Sequence, residues 1–208
     1  MTLGRLHVVT DTRPGRDPLR IVTAALDAGA PVIQVRAKDH TDAELYELAC
    51  RVAELCAAHD ACCIVNDRPD VAVAVGAGGA HVGQGDLPVG AARRVLGPAR
   101  VLGATARDVD TAGAHEAAGA SYLGVGPAYA TTTKTGLPAP LGPGGVGAVA
   151  AAVRIPVVAV AAVNAERVAP LLAAGAYGVA VIGAVSDAAD PAHATEELLA
   201  AIDAGVPA

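Results

Sequence analysis

Short apolar runs alternate with longer amphipathic stretches along the whole chain. The short runs, at residues 6–11, 32–36, 62–65, 80–82, 101–105, 122–126, 157–161 and 178–182, are rich in Val, Ile, Leu and Ala. Their brevity and β-branching predict strands, and their nearly unbroken apolarity predicts burial on both faces, as in a parallel sheet. The longer stretches predict helices near 19–28, 41–58, 71–76, 89–96, 108–118, 146–153, 165–174 and 191–204. Thr41 followed by Glu44 is a capping box that opens the second of these. A loop rich in Thr, Pro and Gly fills 127–143. Eight strand–helix units in strict alternation predict an α/β fold, a single (β/α)8 TIM barrel domain over residues 1–208. A doubly wound open sheet is the alternative. Both folds put their chemistry at the C-terminal ends of the strands.

Composition narrows this little. The chain is 53% hydrophobic but 2% aromatic, with no Trp or Phe. An interior of Ala, Val and Gly lets helices pack close to strands. The net charge is −6 without a basic stripe, which argues against nucleic-acid binding. No run approaches a membrane span, and the N-terminus has no signal-peptide pattern, so a cytoplasmic location is expected. The four cysteines, Cys50, Cys56, Cys62 and Cys63, contain no Cys-x-x-Cys pair and read as reduced thiols. Cys62 and Cys63 point to opposite faces of one strand.

The strand ends carry the chemistry. Ile64-Val65-Asn66-Asp67 and His81-Val82-Gly83-Gln84-Gly85-Asp86 each end an apolar run with a carboxylate. As parallel neighbours the two strands would lie roughly 5 Å apart. Carboxylates that close repel unless one is protonated or a cation intervenes, so the pair is a candidate divalent-metal site. Two solvated turn aspartates would give the same pattern. Gln34, Arg36 and Lys38 alternate with Ile33, Val35 and Ala37, so all three face one side and form a cationic wall for a phosphate or pyrophosphate. Arg68 and Asp70 lie close to the metal pair in sequence. The segment from Ala130 to Gly136 offers hydroxyls and Lys134 as an anion clamp or lid. Residues 161–164 and 181–184 stand where barrels often bind phosphate through backbone N–H groups. His81 reads as a hydrogen-bonded core residue. No nucleophile–base spacing and no Walker or dinucleotide motif is present.

Taken together, Gln34-Val35-Arg36-Ala37-Lys38, Val65-Asn66-Asp67-Arg68, His81 to Asp86, Gly124-Val125-Gly126-Pro127 with Thr131-Thr132-Thr133-Lys134, and Ile155 to Ala159 resemble thiamine phosphate synthase over nearly the whole chain. That resemblance implies a (β/α) barrel transferase. It joins hydroxymethylpyrimidine diphosphate to hydroxyethylthiazole phosphate and releases pyrophosphate with Mg2+. It further implies that Gln34, Arg36, Lys38 and Asn66 hold the pyrimidine diphosphate, and that Asp67 and Asp86 hold Mg2+. Thr105 takes the place of a serine near the pyrimidine. Thr131 and Thr133 touch the thiazole phosphate, with Ala162, Ile182 and Gly183 at the same end. Lys134 meets the pyrophosphate, so that Arg36, Lys38 and Lys134 are the catalytic cations. Partners are small molecules, with homo-oligomerisation open.

Four positions in three places depart from the family pattern. Ala37 replaces a Glu, Ala161-Ala162 replaces Gly-Gly, and Gly183 replaces a Ser. Alanine at positive φ costs on the order of 1 kcal/mol, and its methyl could crowd a phosphate. Two other readings are therefore kept: a thiazole tautomerase-like relative, and a non-catalytic phosphate-binding paralogue whose thiazole phosphate site has decayed.

Overall fold

A computed structural model describes residues 3–131 and 138–205. Eight parallel strands close into a barrel in chain order: β1 Leu6–Val9, β2 Val32–Val35, β3 Cys62–Asn66, β4 Gly79–Val82, β5 Val101–Ala106, β6 Tyr122–Val125, β7 Val157–Val160 and β8 Gly178–Val181. Pairing of β1 with both β2 and β8 completes the ring and excludes the open sheet. The helices wrapping it are α1 Pro18–Asp27, α2 Asp42–Ala58, α3 Pro69–Ala74, α4 Val89–Leu96, α5 Val109–Ala117, α6 Gly142–Ala152, α7 Ala165–Ala173, α8 Gly183–Ser186 and α9 Pro191–Ala204.

Side-chain alternation along the strands sorts the apolar residues into two cores. Ile33, Val35, Cys63 and Val65 join the larger core between sheet and helices. Val9, Val32, Cys62, Ile64, Tyr122, Val158 and Ala180 form the smaller one inside the barrel. The Cys62/Cys63 split follows the predicted alternation, and all four cysteines are free thiols.

Five of the helices start where a short polar side chain satisfies the first N–H groups. Asp17 caps α1, Asp108 caps α5, Asn164 caps α7 and Asp190 caps α9. The Thr41–Glu44 capping box is present at α2. Two differences from the sequence reading stand out. Helix α6 begins at Gly142, four residues earlier than its apolar pattern suggests, because Pro143 is well suited to a first helical turn. The four-residue α8, directly after β8, has no periodicity long enough to read.

The barrel floor carries a layer of polar side chains. Tyr122 is buried on β6, and its hydroxyl lies 3.0 Å from His81 Nδ1. His81 Nε2 lies 3.0 Å from Thr105 Oγ1. His7 meets the Tyr122 ring edge-on, with centroids 5.2 Å apart. Glycine makes room for this layer. A Cβ on Gly103 would fall 2.3 Å from the Tyr122 ring and 2.4 Å from His81 Nδ1, and one on Gly124 would fall 2.9 Å from the His81 ring. Gly103→Ala is therefore expected to destabilise the fold by about 1–3 kcal/mol through overpacking. Urea denaturation reads this directly, and unchanged stability would contradict the packing.

Candidate functional site

A cavity of about 820 Å³ opens at the C-terminal mouth of the barrel. It is within the usual size of a small-molecule site. Gln34, Arg36, Lys38, Asn66, Asp67, Asp86, Thr105, Thr131, Ala162, Ile182 and Gly183 all line it. Thr133 and Lys134 lie outside the described residues. Arg68 and Asp70 do not line it: they pair with each other at 2.7 Å and, through Arg68, with Asp42 on α2.

The β3 and β4 ends bring the two carboxylates together. Register pairs Asn66 with His81, and the Asp67 N–H donates to the His81 carbonyl at 2.7 Å. Asp67 then turns through a left-handed φ of 67°, which Asp tolerates better than most residues but which still carries strain. Asp86 is oriented by the Gly83 N–H, which donates to its Oδ2 at 2.7 Å. Burial, followed by the Asp67 carboxylate beside it, pushes the Asp86 carboxyl above its ordinary value. Lys38 Nζ sits 2.8 Å from Asp67 Oδ2 and offsets part of that repulsion.

Beside this pair, Thr10 pins the backbone of Arg36 from both sides. Its hydroxyl accepts from the Arg36 N–H and donates to the Arg36 carbonyl, each at 2.8 Å. The Arg36 side chain enters no ion pair among the described residues. Gln34 is buried one layer deeper. Ala37 faces the outer core, away from Arg36, as alternation requires. The donor set suits a hard cation. Two adjacent carboxylates are what Mg2+ takes from a protein when water and substrate phosphate fill its other positions. No cluster of three or more His, Cys, Asp or Glu suited to metal binding occurs among the described residues.

The floor of the cavity is the Tyr122–His81–Thr105 layer. Burial holds both His7 and His81 down to about 4, so both rings are neutral at pH 7. His7 Nε2 contacts the Gly4 carbonyl at 3.1 Å, which assigns the proton to Nε2. His7 Nδ1 is then a buried acceptor with no partner among the described residues.

The opposite rim is built from β7, β8 and α8. Ala161 and Ala162 adopt φ of 79° and 52°, so the left-handed turn is kept although alanines occupy it. The Ala161 carbonyl accepts from Tyr129 N at 3.4 Å, and Arg167 Nη1 donates to the Ala162 carbonyl at 2.6 Å. Beyond the end of β1, buried Asp11 accepts from Ser186 Oγ of α8 at 2.7 Å and from Arg13 Nε at 2.8 Å. The Arg13 guanidinium holds the Asp11 carboxyl well below the usual range, and Arg13 with Arg16 carries the network on to Asp187. A Cβ on Gly183 would fall 2.7 Å from Asp187 Oδ2, so glycine at 183 fits the side chain beneath it.

His7, Tyr122 and Arg167 also line the cavity without having been singled out in the sequence. Tyr122 was readable, since it alternates with Gly124 and Gly126 on the inward phase. His7 is in phase with inward Val9. Arg167 gives no such sign, because it sits on a helix whose start alone brings it to the rim.

Fold and cavity define a (β/α)8 barrel with a two-carboxylate site and flanking cations at its catalytic mouth. The family model for thiamine monophosphate synthase matches residues 6–185. A thiamine-phosphate synthase of Salinispora tropica is 63% identical over 97% of this chain and 98% of its own. One from Moorella thermoacetica is 46% identical over 93% of each. The solved thiamine phosphate pyrophosphorylase of Pyrococcus furiosus superposes with a TM-score of 0.89 at 34% identity, covering 98% of this chain and 97% of that one. The chain belongs to the thiamine monophosphate synthase family.

The left-handed alanines generate a stability prediction. An L-residue at such φ costs roughly 1–2 kcal/mol, of which glycine returns all but about 0.5–1 kcal/mol of chain entropy. Ala161→Gly and Ala162→Gly should each stabilise the fold by about 0.5–1 kcal/mol in denaturant titrations. A loss of stability in both would contradict the strain.

Proposed function

We propose that the chain condenses 4-amino-2-methyl-5-hydroxymethylpyrimidine diphosphate with hydroxyethylthiazole phosphate, giving thiamine phosphate and pyrophosphate. The observation that carries this reading is the placement of Asp67 and Asp86 together, beside Arg36 and Lys38, at one end of a cavity large enough for two small substrates. Family membership supplies the identity of those substrates. The left-handed Ala161–Ala162 turn supports an intact second subsite rather than a decayed one, because its backbone keeps the shape that glycines would give.

In this reading Gln34, Arg36, Lys38 and Asn66 hold the pyrimidine diphosphate, and Asp67 with Asp86 holds Mg2+. When bound, Mg2+ neutralises charge on the departing pyrophosphate. Arg36 and Lys38 add to that neutralisation from the neighbouring strand end, and Lys134 joins them. The C–O bond at the pyrimidine methylene breaks, with the electron pair leaving on pyrophosphate. The thiazole nitrogen then attacks the resonance-stabilised methylene cation. No protein nucleophile is required. His81 contacts Tyr122 through one nitrogen and Thr105 through the other, so its role is to orient the Thr105 hydroxyl beside the pyrimidine. Thr131, Thr133 and the backbone near Ala162, Ile182 and Gly183 hold the thiazole phosphate. Positioning and electrostatics supply the rate.

No helix among the described residues is long and apolar enough to cross a membrane. Residues 1–208 are taken as one domain acting on small molecules in the cytoplasm. The direct test is pyrophosphate release from purified protein with both substrates and Mg2+. Asp67→Ala and Asp86→Ala should each lower turnover by at least about a hundredfold. Near-normal turnover in either variant would overturn the metal assignment, and no release by the unmodified chain at saturating substrates would overturn the function.

A further inference from the structure

The cavity is lined by two arginines without a carboxylate partner among the described residues. Arg36 stands at the end of β2, and Arg167 stands in the first turn of α7, next to the β7 end. Lys38, by contrast, pairs with Asp67, and Arg13 and Arg16 pair with Asp187. Strands β2 and β7 are three places apart around the closed ring. Two unmatched guanidinium groups so separated suit two separate anions, not one.

Arg167 is also held in place. Its backbone N–H donates to the Asn164 side chain that caps α7, at 3.2 Å. Its Nη1 donates to the Ala162 carbonyl at 2.6 Å, and its guanidinium carbon lies 4.6 Å from the centre of the Tyr129 ring. Arg167 is exposed, yet its guanidinium is placed by an aromatic face and a carbonyl, neither of which neutralises its charge. One of its five N–H donors is used on Ala162, and the planar fork left over matches a phosphate. The carbonyl it uses belongs to the left-handed turn, and the ring it covers precedes Thr131. Arg167 therefore joins the β7 turn to the loop after β6.

We propose that Arg167 binds the phosphate of the thiazole substrate and makes the enzyme select the phosphate ester over the free alcohol. This rests on the reading above that this phosphate lies at the β7 and β8 ends.

The test uses the full chain with Arg167→Gln and Arg167→Lys, and with Gly183→Asp as an independent probe of the same end. Arg167→Gln should raise KM for hydroxyethylthiazole phosphate by at least about tenfold while KM for the pyrimidine diphosphate stays unchanged. Calorimetric affinity for unphosphorylated hydroxyethylthiazole should also stay unchanged, and Arg167→Lys should recover part of the loss. If Arg167→Gln weakens alcohol and phosphate ester alike, Arg167 is a brace for the turn and the proposal falls. If Gly183→Asp raises KM for the thiazole phosphate but Arg167→Gln does not, the phosphate lies there without Arg167 and again the proposal falls. If neither variant moves that KM, the placement of the phosphate is itself wrong.

Discussion

Two carboxylates at the ends of neighbouring parallel strands cannot both stay ionised in a half-buried site unless positive charge is near. That constraint on Asp67 and Asp86 organises the mouth of this barrel. The β3–β4 register fixes how close they come, and the left-handed turn at Asp67 aims one carboxylate along the rim. Lys38 supplies partial compensation, yet Asp86 still has its carboxyl pushed up. The residual repulsion is what a divalent cation with a diphosphate would relieve.

The depth of the cavity has a different origin. Below the carboxylates, Tyr122, His81 and His7 fill the barrel interior because Gly103 and Gly124 leave them space. A floor of this kind is neutral: burial keeps both imidazoles uncharged, and the phenol finds a partner in His81. Charge is confined to the rim and hydrogen-bonding capacity to the base. That division suits molecules with a flat heterocycle at one end and phosphate at the other. Across the rim, the Asp11–Arg13–Asp187 network and the Arg167 contacts hold the loops after β1, β7 and β8 in register with one another.

The barrel was legible because its strands are brief apolar runs and its second helix opens on the recognisable Thr41–Glu44 capping box. Boundaries slipped where glycine hides helicity, as in Gly142-Pro143-Gly144-Gly145, and where an element is too short to show a period, as in α8. The rim residues contributed by β2, β3 and β4 were legible because strand alternation dictates their direction. Proximity in sequence misled once: Arg68 and Asp70 follow Asp67 directly, yet they turn outward to Asp42. Arg167 could not be found in this way. A helix residue has no fixed relation to the barrel axis until the start of its helix is known, and Asn164 sets that start only once β7 and its turn are in place.

The central claim is that the Asp67–Asp86 pair couples a divalent cation to the diphosphate end of the site. Calorimetric titration of pyrophosphate with and without Mg2+, in the unmodified chain and in Asp86→Asn, measures that coupling without depending on turnover. Mg2+ is predicted to tighten pyrophosphate binding by at least about tenfold, a coupling free energy of ordinary size, and Asp86→Asn to abolish the gain. Equal affinity with and without Mg2+, or a full Mg2+ effect surviving in Asp86→Asn, would contradict the account.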